Sequence, residues 1–239
     1  MTIFHVHTRR CGHAEDVPDE AYVRKAIALG ADDIWFTDHA PFPGDPFGAR
    51  MAYRELEAYI ADLRALREAY RGRIGVHIGL ETEYFPHFDA AGYYHELRAL
   101  PGMEILLLGQ HMAQTADDPP AYSFSLPPDV LDREEYRRLG EAVVQGIERG
   151  YFGAVAHPDR IFRRCGDWDA RMQAMAERII AAAIRAEIPL EHNLASMEQG
   201  HLYRPEFWAL VPKDAPQIYG YDAHSIREME RRSIVLPLL

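Results

Sequence analysis

Histidine and carboxylate residues recur along this chain at spacings that suit metal binding. His5 and His7 flank a single valine, and Asp222-Ala223-His224 repeats that spacing much later in the sequence. Side chains two residues apart in a β-strand point to the same face, so each pair can present two groups to one ion. Imidazole nitrogens and carboxylate oxygens are ligands of divalent transition metals. The pairs therefore predict metal chemistry, and the chain has 12 histidines to supply further ligands.

Short apolar segments rich in β-branched and aromatic residues recur along the chain, and longer segments with helical spacing separate them. The sequence predicts strands at 2–6, 33–37, 74–80, 104–109, 152–156, 188–191 and 217–221. It predicts helices at 19–29, 53–70, 90–99, 133–149, 170–186 and 225–232. This alternation is typical of an open doubly wound sheet or of a βα barrel.

Ionisable groups follow every predicted strand, and this placement favours the barrel. The seven ends of an open sheet would be spread over about 30 Å, whereas a closed sheet brings its carboxyl ends to one face. The groups are His5 and His7, Asp38 and His39, Glu81 and Glu83, His111, His157 and Asp159, residues 191–193, and Asp222 with His224. His13 lies in the loop after the first strand.

Glu81 is the best candidate for a carboxylate shared between metal ions. It follows a predicted apolar strand, where a buried charge would be costly without a counterion. A carboxylated lysine cannot take this role, because the only lysines, Lys25 and Lys213, follow no predicted strand. The other histidines, at positions 77, 87, 95, 192 and 201, are interpreted as structural or peripheral.

Composition argues against several other classes of protein. The chain has 26 Lys and Arg residues against 37 Asp and Glu, a net charge of −11, which argues against nucleic acid or an anionic membrane as a partner. No apolar stretch approaches the roughly 18 residues of a membrane span, and no signal peptide is evident. Two cysteines, Cys11 and Cys165, suggest the reducing cytoplasm. Without repeats or linkers, we expect a single domain over residues 1–239.

Six ordered motifs place candidate ligands along the chain: His5-x-His7 with Cys11-x-His13, Thr37-Asp38-His39, Gly79-Leu80-Glu81, Gly109-Gln110-His111, Ala156-His157-Pro158-Asp159 and Asp222-Ala223-His224. These motifs resemble those of the polymerase and histidinol phosphatase (PHP) superfamily, in particular its single-domain members similar to L-histidinol-phosphate phosphatase. The resemblance spans nearly the whole chain.

The resemblance implies a distorted (βα)7 TIM-like barrel that binds three divalent metal ions. By analogy, the first ion would be held by His5, His7, Glu81 and Asp222, and Glu81 would bridge to a second ion held by His111 and His157. The third ion would be held by His13, His39 and His224. Seven imidazoles and two carboxylates suit Zn, Fe or Mn better than Ca or Mg, which prefer oxygen ligands.

The chemistry implied is hydrolysis of a small phosphate monoester by a metal-bridging hydroxide, with L-histidinol phosphate of histidine biosynthesis as the leading substrate. Asp38 and Asp159 are candidates for catalytic proton transfer or for supporting metal ligands; the alternative is that they are simple surface carboxylates. Arg160 is the best candidate to bind the substrate phosphate, and Arg9 and Arg204 are weaker ones.

The sequence departs from histidinol phosphatases after the sixth strand, where the family's arginine is missing. No arginine occurs there before Arg204, and Glu198 is expected to repel a phosphate. A nucleotide or another small phosphate ester therefore remains an alternative substrate. Amidohydrolase-type hydrolysis and a non-enzymatic accessory role remain alternative functions. A proline-rich loop around residues 119–128 is expected to shape the pocket. The sequence leaves the oligomeric state open, and a homo-oligomer is one option.

Overall fold

The computed structural model describes residues 1–114, 122–123 and 135–231. Within these residues, seven parallel strands form one sheet in the order of the sequence. The strands are β1 (Thr2–Val6), β2 (Asp33–His39), β3 (Gly75–Thr82), β4 (Ile105–Leu108), β5 (Ala154–Val155), β6 (Leu190–Asn193) and β7 (Gln217–Gly220).

The sheet closes between its first and last strands. The backbone N–H of Tyr221 donates to the carbonyl of Phe4 at 2.8 Å, and that of His7 donates to the carbonyl of Ala223 at 2.9 Å. β5 contributes only two residues, which makes the barrel irregular. The predicted distorted (βα)7 barrel is therefore confirmed.

Helices in the connections cover the outside of the barrel. They are α1 (Asp19–Ala28), α2 (Leu56–Ala69), α3 (Pro86–Ala90), α4 (Tyr93–Ala99), α5 (Glu135–Arg149), α6 (Ala170–Arg185), α7 (Leu194–Gln199) and α8 (Pro205–Trp208). α2, for example, buries Tyr59, Ile60 and Leu63, which helical periodicity places on one side, and packs on β3. No helix among the described residues is long and apolar enough to cross a membrane.

The element predictions were right for all seven strands, with ends that differ by up to two residues. The predicted helix 90–99 begins only at Tyr93, as α4, because Gly92 before it adopts the left-handed conformation (φ +85°). The preceding helix α3 (Pro86–Ala90) was not predicted. The predicted helix 225–232 is a short 3-10 turn, Arg227–Glu230, with residue 232 outside the described part. The sequence missed α7 and α8, which are too short to show a periodic apolar pattern. Residues 133 and 134 also lie outside the described residues.

A bulge in β1 directs the first two histidines into the barrel. Ile3 and Val6 both pack in the core between the barrel and its helices, although they are three residues apart. Phe4 instead faces the inside of the barrel. The β1–β2 register shifts between Ile3 and Val6, and His5 has φ +69°. The extra residue reverses the alternation, so His5 and His7 turn inward.

Candidate metal centre

Nine side chains predicted to bind metal lie together at the carboxyl ends of the strands, and Glu81 is their centre. Its carboxylate contacts five imidazoles. Oε1 lies 2.8 Å from Nε2 of His157 and 3.5 Å from Nε2 of His111, and Oε2 lies 3.2 Å from Nδ1 of His39, 3.4 Å from Nε2 of His5 and 3.6 Å from Nε2 of His7.

Asp222 brings the remaining histidines to the same cluster. Its Oδ1 lies 3.3 Å from Nε2 of His7 and 3.6 Å from Nδ1 of His224. The ring of His224 is 4.6 Å from that of His13, centre to centre. Four compact groups of potential ligands result: His5, His7 and Glu81; His39, Glu81 and His111; His7, His39 and His224; and Cys11, His13 and His224. His39 therefore belongs to two groups, beside Glu81 as well as beside His224.

Local backbone features make room for these carboxylates and aim the ligands. A Cβ at Gly109 would lie 2.0 Å from Oε1 of Glu81, so the motif before His111 needs glycine. His157 (φ +29°) and Asp222 (φ +48°), like His5, adopt backbone conformations that are unfavourable for residues with a side chain. Such strain is typical of functional sites, where the surrounding structure holds it in place.

Several atoms of the cluster are buried without a hydrogen-bond partner. They are Nε2 of His5, both ring nitrogens of His7, Oε2 of Glu81 and Nε2 of His224. A buried polar atom without a partner is costly, and most such atoms in proteins are paired. Metal ions would supply partners for Nε2 of His5, Oε2 of Glu81, Nε2 of His224 and one nitrogen of His7, so the residues present fit a metal centre.

The charges of the cluster also suit bound cations. Burial opposes ionisation of Glu81, but the imidazoles of His111, His5 and His39 outweigh it and lower its pKa well below the usual value. Burial together with the charge of Arg160 lowers the pKa of His157 to about 4, and burial beside His7 lowers that of His224 to about 3. Neutral imidazole and ionised carboxylate are the forms that bind metals. Burial opposes protonation of His5 and His7, but the nearby carboxylates outweigh it, raising the pKa of His5 well above its usual value and that of His7 to about 9, so metal binding at these two residues would release protons.

Two further carboxylates hold the histidines in place. Oε1 of Glu191 lies 2.6 Å from Nδ1 of His5, and its Oε2 accepts the backbone N–H of His157 at 3.0 Å. Asp38 accepts hydrogen bonds from Thr8 and lies 3.6 Å from Nδ1 of His7. The sequence placed Glu191 at a strand end but gave it no role, although its position after a buried strand was a signal.

The alternative that Asp38 and Asp159 are surface carboxylates is wrong, because both are fully buried. Asp159 does not line the cavity beside the cluster; its Oδ2 accepts the backbone N–H of Arg204 at 2.8 Å. It therefore ties the turn after β5 to the segment that leads into α8.

Burial raises the pKa of Asp159 to about 6, which predicts a pH-dependent stability. An unfolded aspartate titrates near 4, so this contribution to stability is present below about pH 4 and is lost as the pH rises through 6. Between pH 4.5 and 8, the free energy of unfolding of metal-free wild type should fall by about 2 kcal/mol relative to that of Asp159→Asn, measured by urea unfolding. Asp167→Asn, at an exposed position, is the control. Equal pH dependence in wild type and Asp159→Asn would contradict the prediction.

Arg160 is the arginine that the structure places at the cluster. Its Nη2 donates to Oδ2 of Asp222 at 2.8 Å, to Oδ1 of Asn193 at 3.0 Å and to Oγ of Ser196 at 2.8 Å. The side chain lines the cavity and belongs to the turn that follows His157. Its guanidinium thus lies beside Asn193 and Ser196, at the end of β6.

The other two candidate arginines lie away from the cavity. The Arg9 side chain is 57% exposed and lies 3.6 Å from Asp16. The guanidinium of Arg204 donates to the backbone carbonyls of Phe162, Cys165 and Gly166, which hold it away from the cavity. Glu198, expected to repel a phosphate, instead accepts a hydrogen bond from Arg231 at 2.8 Å and is absent from the cavity wall.

One cavity of about 260 Å³ opens onto the cluster. It is lined by His13, His39, Gly48, Ala49, Arg50, Glu83, His111, Met112, Arg160, Asp222 and His224. The sequence missed Arg50, which comes from the long connection after β2 and carries no motif. Arg50 pairs with Glu83, and although burial opposes ionisation of Glu83, Arg50 and His111 lower its pKa to about 2.

The predicted pocket loop lies mostly outside the described residues, which include only Tyr122 and Ser123 of it. The ring of Tyr122 is 4.6 Å from that of Phe47.

The histidines interpreted as structural lie outside the cluster. His77 bridges Asp33 and Glu104 near the amino ends of the strands, and His192 stacks on Trp208 at 3.6 Å.

Comparisons with known proteins agree with this architecture. The chain is 32% identical over 165 residues to a Deinococcus radiodurans protein named "Probable histidinol-phosphatase", covering 65% of this chain and 59% of that protein. It is 35% identical over 91 residues to histidinol-phosphatase of Bacillus subtilis, covering 36% of this chain and 34% of that protein. The matches thus span less than two thirds of these relatives.

Two solved structures share the fold. A hisK protein from Listeria monocytogenes superimposes with a TM-score of 0.76 at 18% identity, covering 98% of this chain and 99% of that one. Histidinol phosphate phosphatase from Lactococcus lactis, solved with zinc, L-histidinol and phosphate, gives 0.72 at 19% identity, covering 99% and 92%. The profile of the PHP domain matches residues 4–195, and the chain therefore belongs to the PHP domain family.

Proposed function

We propose that this protein is a metal-dependent phosphatase that hydrolyses L-histidinol phosphate to L-histidinol and inorganic phosphate. The observation that carries the proposal is that Asp222 contacts both the histidine cluster and the mostly buried guanidinium of Arg160. A site for cations and a group suited to phosphate therefore adjoin in one cavity. The two relatives named as histidinol phosphatases support this choice of substrate.

We further propose three divalent ions, held by His5, His7, His13, His39, Glu81, His111, His157, Asp222 and His224. Zn, Fe and Mn all suit these donors, and the zinc in the Lactococcus lactis structure supports zinc. When bound, such ions would activate water and neutralise charge on the phosphoryl oxygens.

The protein's own residues would bind and orient the substrate. Arg160 would donate to a phosphoryl oxygen, while Asp222, Asn193 and Ser196 keep its guanidinium at the cavity wall. Asp38 and Glu191 would hold the imidazoles of His7 and His5 in fixed orientations. The burial of Asp159 and its hydrogen bond to the backbone of Arg204 indicate that it holds the loop in place rather than transferring a proton.

We also infer one domain over residues 1–239, because β7 and His224 lie beyond the matched segment and complete the same barrel and cluster. The cytoplasmic location remains a prediction, which two free cysteines support.

The experiment that tests this function measures phosphate release from L-histidinol phosphate by protein loaded with Zn or Mn. We expect kcat/KM above about 10⁴ M⁻¹s⁻¹, and no turnover after removal of metal by a chelator. p-Nitrophenyl phosphate, a nucleoside monophosphate and an amide substrate are assayed in parallel. Metal should also raise the melting temperature, because it binds the folded state.

The outcomes separate the alternatives. Release from p-nitrophenyl phosphate or the nucleotide alone would keep the phosphatase chemistry and exclude histidinol phosphate. Cleavage of the amide alone would indicate an amidohydrolase. Binding of much less than one equivalent of metal, with no change in melting temperature, would favour a non-enzymatic role.

A further inference from the structure

Glu83 forms a buried bridge between the metal cluster and the wall of the cavity. It follows β3, two residues after Glu81, and is 1% exposed. Its Oε1 lies 3.1 Å from Nδ1 of His111 and accepts Nη2 of Arg50 at 3.2 Å. Its Oε2 accepts Nη1 of Arg50 at 3.0 Å. One carboxylate therefore holds an imidazole on one side and a two-pronged guanidinium on the other.

The contact with Glu83 decides which nitrogen of His111 faces the metal cluster. When Nδ1 carries the proton and donates to Glu83, Nε2 keeps its lone pair. That Nε2 points to the cluster, 3.5 Å from Oε1 of Glu81. Carboxylates behind a ligating imidazole fix its orientation and increase its basicity in this way.

The contact with Arg50 holds the segment Gly48-Ala49-Arg50 against the barrel. Nη1 of Arg50 also donates to the carbonyl of Ala40 at 3.0 Å, and its guanidinium lies 5.2 Å from the ring centre of Phe47. All three residues of this segment line the cavity, and Ala49 adopts a left-handed backbone (φ +56°). Glu83 supplies the charge that keeps this segment in place.

We propose that Glu83 is a positioning residue that orients His111 for metal binding and fixes the substrate-facing segment 48–50 through Arg50. The proposal rests on the proposed function, because it assumes that His111 binds metal and that substrate enters this cavity. Both the cavity wall formed by segment 48–50 and the metal centre would then depend on one side chain.

The barrel supplies a matched control at its opposite end. Glu104 lies between Arg67 and His77 as Glu83 lies between Arg50 and His111: Arg67 donates to its Oε1, and its Oε2 is 2.8 Å from Nδ1 of His77. The same substitution at both sites therefore removes the same charge from the same kind of Arg–Glu–His arrangement, although Glu104 is 32% exposed whereas Glu83 is buried, and only Glu83 lies at the metal cluster.

The test compares Glu83→Gln with Glu104→Gln by titrating metal-free protein with Zn against a competing chelator. Glu83→Gln should weaken binding of at least one equivalent about 10-fold to 100-fold, and Glu104→Gln should leave affinity unchanged. At saturating metal, Glu83→Gln should recover most of its kcat but keep a raised KM, because segment 48–50 is released. Arg50→Met should raise KM with a smaller loss of metal affinity, and it serves as the second variant if Glu83→Gln does not fold.

Metal affinity of Glu83→Gln equal to that of wild type, or equal losses in Glu83→Gln and Glu104→Gln, would overturn the proposal. If Glu83→Gln does not fold, an unchanged KM in Arg50→Met would overturn it. The titration needs no substrate, so a failure of the proposed function is seen separately, as wild type that binds metal but releases no phosphate. Wild type that binds no metal would overturn both.

Discussion

Glu81→Gln is expected to abolish phosphate release and to strip metal from the protein. Glutamine keeps the size of the side chain but removes the charge that faces five imidazoles, from His157 at 2.8 Å to His7 at 3.6 Å. If the ions supply several kcal/mol of transition-state stabilisation, their loss lowers kcat/KM by about 10³-fold or more. Metal content by elemental analysis and phosphate release from L-histidinol phosphate are the measurements.

His157→Ala and Asp222→Ala should have the same effect while the barrel stays folded, because each removes one ligand without removing an element of structure. The control is Glu104→Gln, which changes a glutamate near the amino ends of the same strands. Full activity with normal metal content in Glu81→Gln would contradict the assignment of the metal centre.

Arg160→Met is expected to lower kcat/KM for the phosphate ester by about 10²-fold to 10³-fold, the usual cost of removing one preorganised donor to a developing anion. Arg160 is the arginine whose guanidinium reaches Asp222, and its side chain is only 16% exposed. Arg160→Lys should fall between wild type and Arg160→Met, because it keeps the charge but loses the planar fork. Steady-state kinetics and inhibition by inorganic phosphate are the measurements.

Arg9→Met provides the comparison for Arg160→Met, since Arg9 is the exposed candidate arginine outside the cavity. We expect it to leave kinetics unchanged. Metal content should stay normal in both variants, which separates loss of phosphate binding from damage to the neighbouring Asp222. An unchanged KM and an unchanged inhibition constant for phosphate in Arg160→Met would show that phosphate binds elsewhere.

The gathering of ligand-type side chains at one face could be predicted because parallel strands of a barrel deliver their carboxyl ends to one face. Ligand-type residues at the ends of β1, β2 and β3 were therefore visible in the sequence before any coordinates. The sequence did not determine to which face of the sheet His5 and His7 point. In a regular strand they would lie on the side of Ile3, against the helices, and only the bulge in β1 turns them inward.

Choosing among residues of the same type needed the tertiary structure. Arg9, Arg160 and Arg204 have the same side chain in the sequence, but one is exposed, one meets Asp222 and one is held by backbone carbonyls. Asp38 and Asp159 could equally have been surface residues until their burial was known.

The sequence by itself determined the alternation of strands and helices, the positions of the candidate ligands and the excess of negative charge, because these depend on residue type and local spacing. The tertiary structure decided which groups meet across the barrel. Arg50 is 33 residues from Glu83, and Arg160 is 62 residues from Asp222. Such contacts are set by how loops fold over the closed sheet, and no periodicity of the chain encodes them.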